Sequence, residues 1–188
     1  MIDFYDLKYI SSLTKNIVAK IYSDQVLDTV IDMDYCLKKL RIYVEENDLG
    51  NTYSIFRISE NKAYLTINKK LNIPKYEKDF IKAVSIGRTV YEMFQENSLN
   101  EDIIYLDENK LLNNYFDLKE DNNPKKTKEF FVLNFAAIFI VPQKKLEDIL
   151  KVGICNRDAI SSIFKTCKLL IEKRINDLKK VKDEKRKW

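Results

Sequence analysis

Between Glu129 and Val141 the chain reads EFFVLNFAAIFIV, apolar on nearly every face, with Pro142 directly after it. A surface helix alternates an apolar stripe with a polar one, and this run does not. It is also too short for a membrane span, which needs about 20 residues, and Asn134 interrupts it. The pattern predicts a helix over 129–141, buried at the centre of the fold and ended by Pro142, with Phe135 and Ala136 inside. The other elements must pack around it.

Their periodicities are legible. Leu7, Ile10, Leu13, Ile17 and Ile21 recur at three- and four-residue steps and predict a helix over 4–22. Leu27, Val30, Ile31 and Met33 predict a second over 24–38. Three segments rich in β-branched and aromatic residues, 40–46, 52–58 and 63–68, are separated by polar turn residues and read as a small antiparallel meander. After Pro74 and Lys75, the set Phe80, Ala83, Val84, Gly87, Val90, Tyr91 and Phe94 forms an apolar stripe on one helix. A mid-helix glycine costs about 1 kcal/mol relative to alanine, so Gly87 implies a packing reason. The stretch 119–128 is polar and reads as a mobile loop. QKKLEDILK (143–151) predicts a short helix, and from Asp158 one long helix runs toward the C-terminus. Together these give an α+β fold, mostly helical, with a three-stranded antiparallel sheet.

The charge is unevenly placed. The net charge is +4, and between Glu172 and Trp188 eight Lys/Arg face four acids, so this end carries the whole excess. Lys179, Lys180, Lys182, Lys185, Arg186 and Lys187 are the candidate contacts to nucleic acid or an acidic partner. The competing reading is a solvated helix end whose cations complement the helix dipole, and the lack of aromatic interleaving before Trp188 favours it. A single domain over 1–178 with a basic helical tail over 179–188 is the expected organisation.

Composition removes several chemistries. The chain has no histidine, which excludes Ser-His and Cys-His nucleophile pairs, His-based proton transfer and His-ligated zinc. Cys36, Cys155 and Cys167 form no CxxC pair and fit reduced thiols in a cytoplasmic protein. The opening MIDFYDLKYISSL lacks the basic start and apolar core of a secretory signal. Abundant lysine, asparagine and isoleucine point to an AT-rich bacterial or phage genome.

The order of strand meander, amphipathic helix and buried helix resembles the ImmA/IrrE metallopeptidases. In that family a zinc helix reads like A-H-E-L-G-H; here it is Ala83-Val84-Ser85-Ile86-Gly87-Arg88. A later helix reads like E-x-x-A-N-x-F-A-A-x-L-L-M-P; here Glu129 begins it and Phe135-Ala136-Ala137 and Pro142 follow, with Asn134 shifted by one place. An F-x-V-S motif and an R-L pair correspond to Phe164-Lys165-Thr166-Cys167 and Arg174-Ile175. The resemblance covers about residues 40 to 178 and implies a zincin-like fold. In HExxH chemistry two histidines ligate zinc and the glutamate activates water. Valine cannot ligate, arginine stays cationic and serine is a poor base, so no zinc, no other cofactor and no peptidase activity are expected. Glu129 matches the family's third, acidic ligand. On this register Arg88 and Glu129 face each other as an ion pair in place of the metal; the competing arrangement leaves Arg88 in solvent and Glu129 merely near its helix start.

The resemblance further implies a partner. Family members act on helix-turn-helix transcription factors, commonly in prophages and other mobile elements. A member without zinc is expected to bind such a regulator, or another DNA-acting protein, without cutting it, and to touch no membrane. Direct nucleic-acid binding through the basic C-terminal helix is the alternative.

Overall fold

The computed structural model describes residues 6–22, 31–60, 62–94, 104–106 and 124–185. Its elements are α1 (Leu7–Tyr22), α2 (Met33–Lys39), β1 (Ile42–Asn47), β2 (Ser54–Ser59), β3 (Lys62–Asn68), α3 (Lys75–Phe94), β4 (Ile104–Leu106), α4 (Pro124–Ile140), α5 (Gln143–Lys151), α6 (Arg157–Phe164) and α7 (Lys168–Lys185). The class is α+β, mostly helical, as the periodicities predict. No helix among the described residues is long and apolar enough to cross a membrane.

The sheet is not the expected antiparallel meander. Its order is β1-β3-β2-β4, and β1 runs parallel to β3 while β2 pairs antiparallel with both β3 and β4. The connection between β1 and β2 explains why. A two-residue turn folds two strands directly together, but residues 48–53 are long enough to arch over the end of β3. Asn68, fully buried at that end, holds the arch: its Nδ2 donates to the carbonyls of Gly50 and Thr52, both at 2.8 Å. Lys69 N–H donates to Asn47 on one side, and Asn68 N–H to Tyr53 on the other. β3 is thereby clamped between its two predecessors. Between β2 and β3, where Ser59 pairs with Lys62, Glu60 takes a left-handed φ of 49°.

α4 is the central element. Phe131, Phe135, Ala136 and Phe139 are all 0% exposed, and α1, α3 and α7 pack around the helix. It begins at Pro124, so of the loop expected over 119–128 residues 124–128 are helical, and 119–123 lie outside the described residues. Proline suits this position because a first-turn N–H has no intrahelical partner. Other boundaries also move. Of the predicted helix over 24–38 the structure gives α2 from Met33, capped by the Asp32 carboxylate, which accepts from Tyr35 N–H at 3.0 Å; residues 24–30 lie outside the described residues.

The long helix expected from Asp158 is two helices. α6 ends at Lys165, which takes φ 50°, and its N–H and that of Thr166 donate back to Ser162 and Ser161. That is a left-handed helix stop of the Schellman type, and it turns the chain before α7 starts. α7 then passes 178–179 without a break and reaches Lys185.

Candidate functional site

Of the motif positions, Gly87 lies on the seam between α3 and α4, and Ala83 and Val84 share its face of α3. Ser85 is equally buried but lies about 200° round the helix from Gly87. Ser85 Oγ donates to the Ile81 carbonyl of its own helix at 3.0 Å, and Thr89 Oγ1 does the same to Ser85 at 2.9 Å. The Ser85 proton is thus given to the backbone, as serine does inside helices. The packing reason for Gly87 is direct: a Cβ there would lie 3.1 Å from Phe135 Cδ1 and 3.1 Å from the Val132 carbonyl oxygen. Alanine would strengthen helix propensity by about 1 kcal/mol, yet it would push on backbone and on a ring buried in a stack. Overpacking of this kind costs about 1–3 kcal/mol. Gly87→Ala is therefore expected to lower stability by up to about 2 kcal/mol in a denaturant titration; a gain in stability would show that the helices can part.

The structure does not bring Arg88 and Glu129 together. Arg88 is half-buried one turn beyond Val84, whereas Glu129 is exposed and no ion pair joins them. The register of α4 gives the reason. Lys128, Val132 and Phe135 share the face turned to α3, which puts residue 129 about 100° round the helix. Lys128 takes the inward place and meets Glu92 of α3 at 2.5 Å, with its ammonium 6.0 Å from the Tyr91 ring centre. A cross-helix ion pair exists, with its polarity reversed: α4 gives the cation and α3 the anion.

The seam does not fit a zinc ion. The ligand positions hold a buried valine and an arginine, the base position holds a serine bonded to its own helix, and the remaining carboxylate points away. Among the described residues no group of three or more Cys, Asp or Glu side chains is placed to hold a metal. Asn134 lies deeper in the core: its Nδ2 donates to Phe130 at 2.8 Å, and its Oδ1 is buried without a hydrogen-bond partner among the described residues. A buried unsatisfied acceptor costs about 1–3 kcal/mol. Asn134→Leu, of similar volume, is accordingly expected to raise the thermal midpoint, and a lower midpoint would reveal a partner for that oxygen.

The basic C-terminal region divides into a buried part and an exposed part. Arg174 and Asp177 are 3% and 2% exposed. Arg174 Nε donates to the Val141 carbonyl at 3.3 Å, its Nη1 lies 3.6 Å from Asp177, and Lys173 meets Asp177 at 2.5 Å. Burial pulls the Lys173 ammonium below its ordinary range, and Asp177 opposes that shift. These residues lock α7 onto the end of α4 and are not open to a ligand. Lys179 and Lys180 are exposed; Lys182 and Lys185 fall on the last turns of α7, and Arg186 and Lys187 lie outside the described residues. At the other end of α7, Lys168 pairs with Asp158 at 3.1 Å and Glu172 with Arg157 at 2.9 Å, so α6 neutralises that face. The split into α6 and α7 was missed in the sequence because lysine at position 165 gives no helix-stop signal.

In comparisons with known proteins, the chain matches no protein-family model and no curated protein.

Proposed function

We propose that the chain is a catalytically inactive relative of the ImmA/IrrE metallopeptidases, with a zincin-like fold. It acts in the bacterial cytoplasm as a protein-interaction regulator of a helix-turn-helix transcription factor or another DNA-acting protein, of the kind carried by prophages and mobile elements. The observation that carries this reading is the α3–α4 seam. The helix after the sheet holds Val84, Ser85 and Arg88 where the family has its zinc chemistry, and Gly87 closes the space against Phe135. Binding without cleavage needs a surface and no reactive group. Used as bait in its source cell, the full chain is expected to retain a DNA-acting regulator, and the purified pair to stay stoichiometric and uncut. Elemental analysis of the purified chain should find no stoichiometric zinc. A cleaved partner or bound zinc would overturn the reading.

A second reading has one observation in its favour. α6, the turn at Lys165 and α7 form a helix–turn–helix whose two helices touch and whose Ile160, Phe164 and Ile171 are buried, and the excess positive charge sits on α7. Such a unit can enter a DNA groove. The pairs Lys168–Asp158 and Arg157–Glu172 count against it. Binding to duplex DNA is expected to be measurable near 50 mM salt and to fall steeply by 200 mM, since counterion release drives it. Tight, salt-resistant binding that disappears on deleting 179–188 would place this reading first.

A further inference from the structure

β1 is an open edge. Its residues lie beside β3 on one side only, and every residue after Ile42 is exposed. The opposite edge, β4, has three residues against six in β1. Proteins blunt long edges with charged side chains, lysine above all, or with proline, a bulge or a covering segment. β1 reads IYVEEN: its only such device is the pair Glu45 and Glu46, which repels acidic strands and leaves the edge open to basic ones, and the strand keeps continuous register with β3 from Ile42↔Ala63 to Asn47↔Asn68.

One hydrogen bond shows which groups are open. The Asn47 carbonyl accepts from Lys69 N–H at 3.0 Å, so Asn47 turns its main-chain groups toward β3. Alternation along the strand gives Glu45 and Tyr43 the same direction. Val44 and Glu46 therefore turn N–H and C=O away from the sheet. Apolar surface waits on both faces beside them. Val44 is 41% exposed on the face where Ile42 is buried. On the other face Tyr43 is 52% exposed and stacks on Tyr64 at 5.4 Å, with the Arg57 guanidinium 5.0 Å from the Tyr64 ring centre.

We infer that β1 is the partner-binding edge: an extended, basic segment of the partner protein adds to it as a further strand through the main-chain groups of Val44 and Glu46. The inference rests on the reading of the chain as a protein-interaction module and names the surface used. Charge selects the occupant. The strand offers two carboxylates and no cation. Glu45 spends one oxygen on Thr66 Oγ1 at 2.8 Å, and Glu46 one on Lys78 at 3.3 Å. An ionised carboxylate accepts about four hydrogen bonds, so each keeps capacity for a lysine or arginine. A second copy centred on Glu45 or Glu46 would set like carboxylates opposite each other, which is destabilising. A strand that alternates apolar residues with a cation satisfies the ladder, both faces and the charge together.

The test selects random linear peptides, displayed on phage, against the full chain, and then measures the enriched synthetic peptides by fluorescence anisotropy. The expected winners alternate β-branched or aromatic residues with Lys or Arg. Val44→Pro is expected to weaken them by about tenfold or more, the scale of a lost main-chain hydrogen bond. It should leave the fold intact, because the N–H it removes faces away from β3. Val44→Thr keeps that N–H and should retain most of the affinity, and Glu45→Lys with Glu46→Lys should lose it. Hydrogen exchange on the unmodified chain gives an independent readout should Val44→Pro fail to fold: peptide must slow the amides of Val44 and Glu46. Peptides that bind Val44→Pro as well as the parent, or that protect another surface, overturn this edge while leaving a protein-interaction role standing. A dimer that Val44→Pro dissolves gives the edge to a second copy and overturns the proposed occupant, and a selection that yields no binder overturns the inference.

Discussion

Phe135→Ala is expected to lower the unfolding free energy by about 3–5 kcal/mol, the cost of truncating a fully buried phenylalanine. Phe135 is the middle ring of a stack along one side of α4, 5.9 Å from Phe131 and 5.7 Å from Phe139 between ring centres. It is also the ring that Gly87 approaches. Removing it opens a void in the stack and takes away the surface on which α3 rests, so both the transfer loss and the cavity loss apply. Domains of this size are stable by only about 5–15 kcal/mol, so the variant would sit near the threshold of folding. A urea titration should show a lower midpoint with an unchanged slope. Phe135→Leu, which fills most of the space, should cost about 1–2 kcal/mol. An unchanged midpoint for Phe135→Ala would remove α4 from the centre of the fold.

That centre was the most legible part of the sequence, because a run apolar on every face has few places to go. The stripe from Phe80 to Phe94 was legible from its three- and four-residue spacing, and it marked Gly87 as a contact. The positions of β1, β2 and β3 were legible within a residue or two from β-branched and aromatic clusters, whereas β4, a fourth strand of three residues, was not expected. Their pairing was not. Whether β1 joins β2 or β3 depends on how residues 48–53 cross the end of β3 and on Asn68 bonding to Gly50 and Thr52, which are contacts between segments. Which way Glu129 turns on α4 was left open between two arrangements for a comparable reason. A glutamate and a lysine adjoin at 128–129, and only the packing of Val132 and Phe135 on α3 decides that Lys128 turns inward. One residue of error on a helix is about 100° of rotation, enough to exchange a buried ion pair for a solvent-facing carboxylate. Charge on α7 was legible as a total. Its division into a buried lock at Arg174 and Asp177 and an exposed end at Lys179 and Lys180 required the neighbouring helices.

Asp177→Ala tests that lock and is expected to cost about 3–5 kcal/mol, because it strands buried positive charge. Arg174 would keep its bond to the Val141 carbonyl, where a cation also complements the end of the α4 dipole, but its guanidinium would lose the carboxylate 3.6 Å away. Lys173 would lose the carboxylate that opposes its desolvation shift, so its ammonium would fall further below the ordinary lysine range. The comparison that isolates the charge is the double variant Arg174→Met with Asp177→Ala. Buried ion pairs replaced by apolar groups of similar volume are often neutral in stability. The double variant should therefore recover much of what Asp177→Ala loses, less the penalty for leaving the Val141 carbonyl without its donor. If Asp177→Ala alone is tolerated, Arg174 must have another partner or must reach water, and it would then count among the cations available for nucleic acid. If the expected loss and recovery are found, Arg174 and Lys173 belong to the scaffold. The positive charge that α7 can offer a partner is then confined to its last turns, from Lys179 onward.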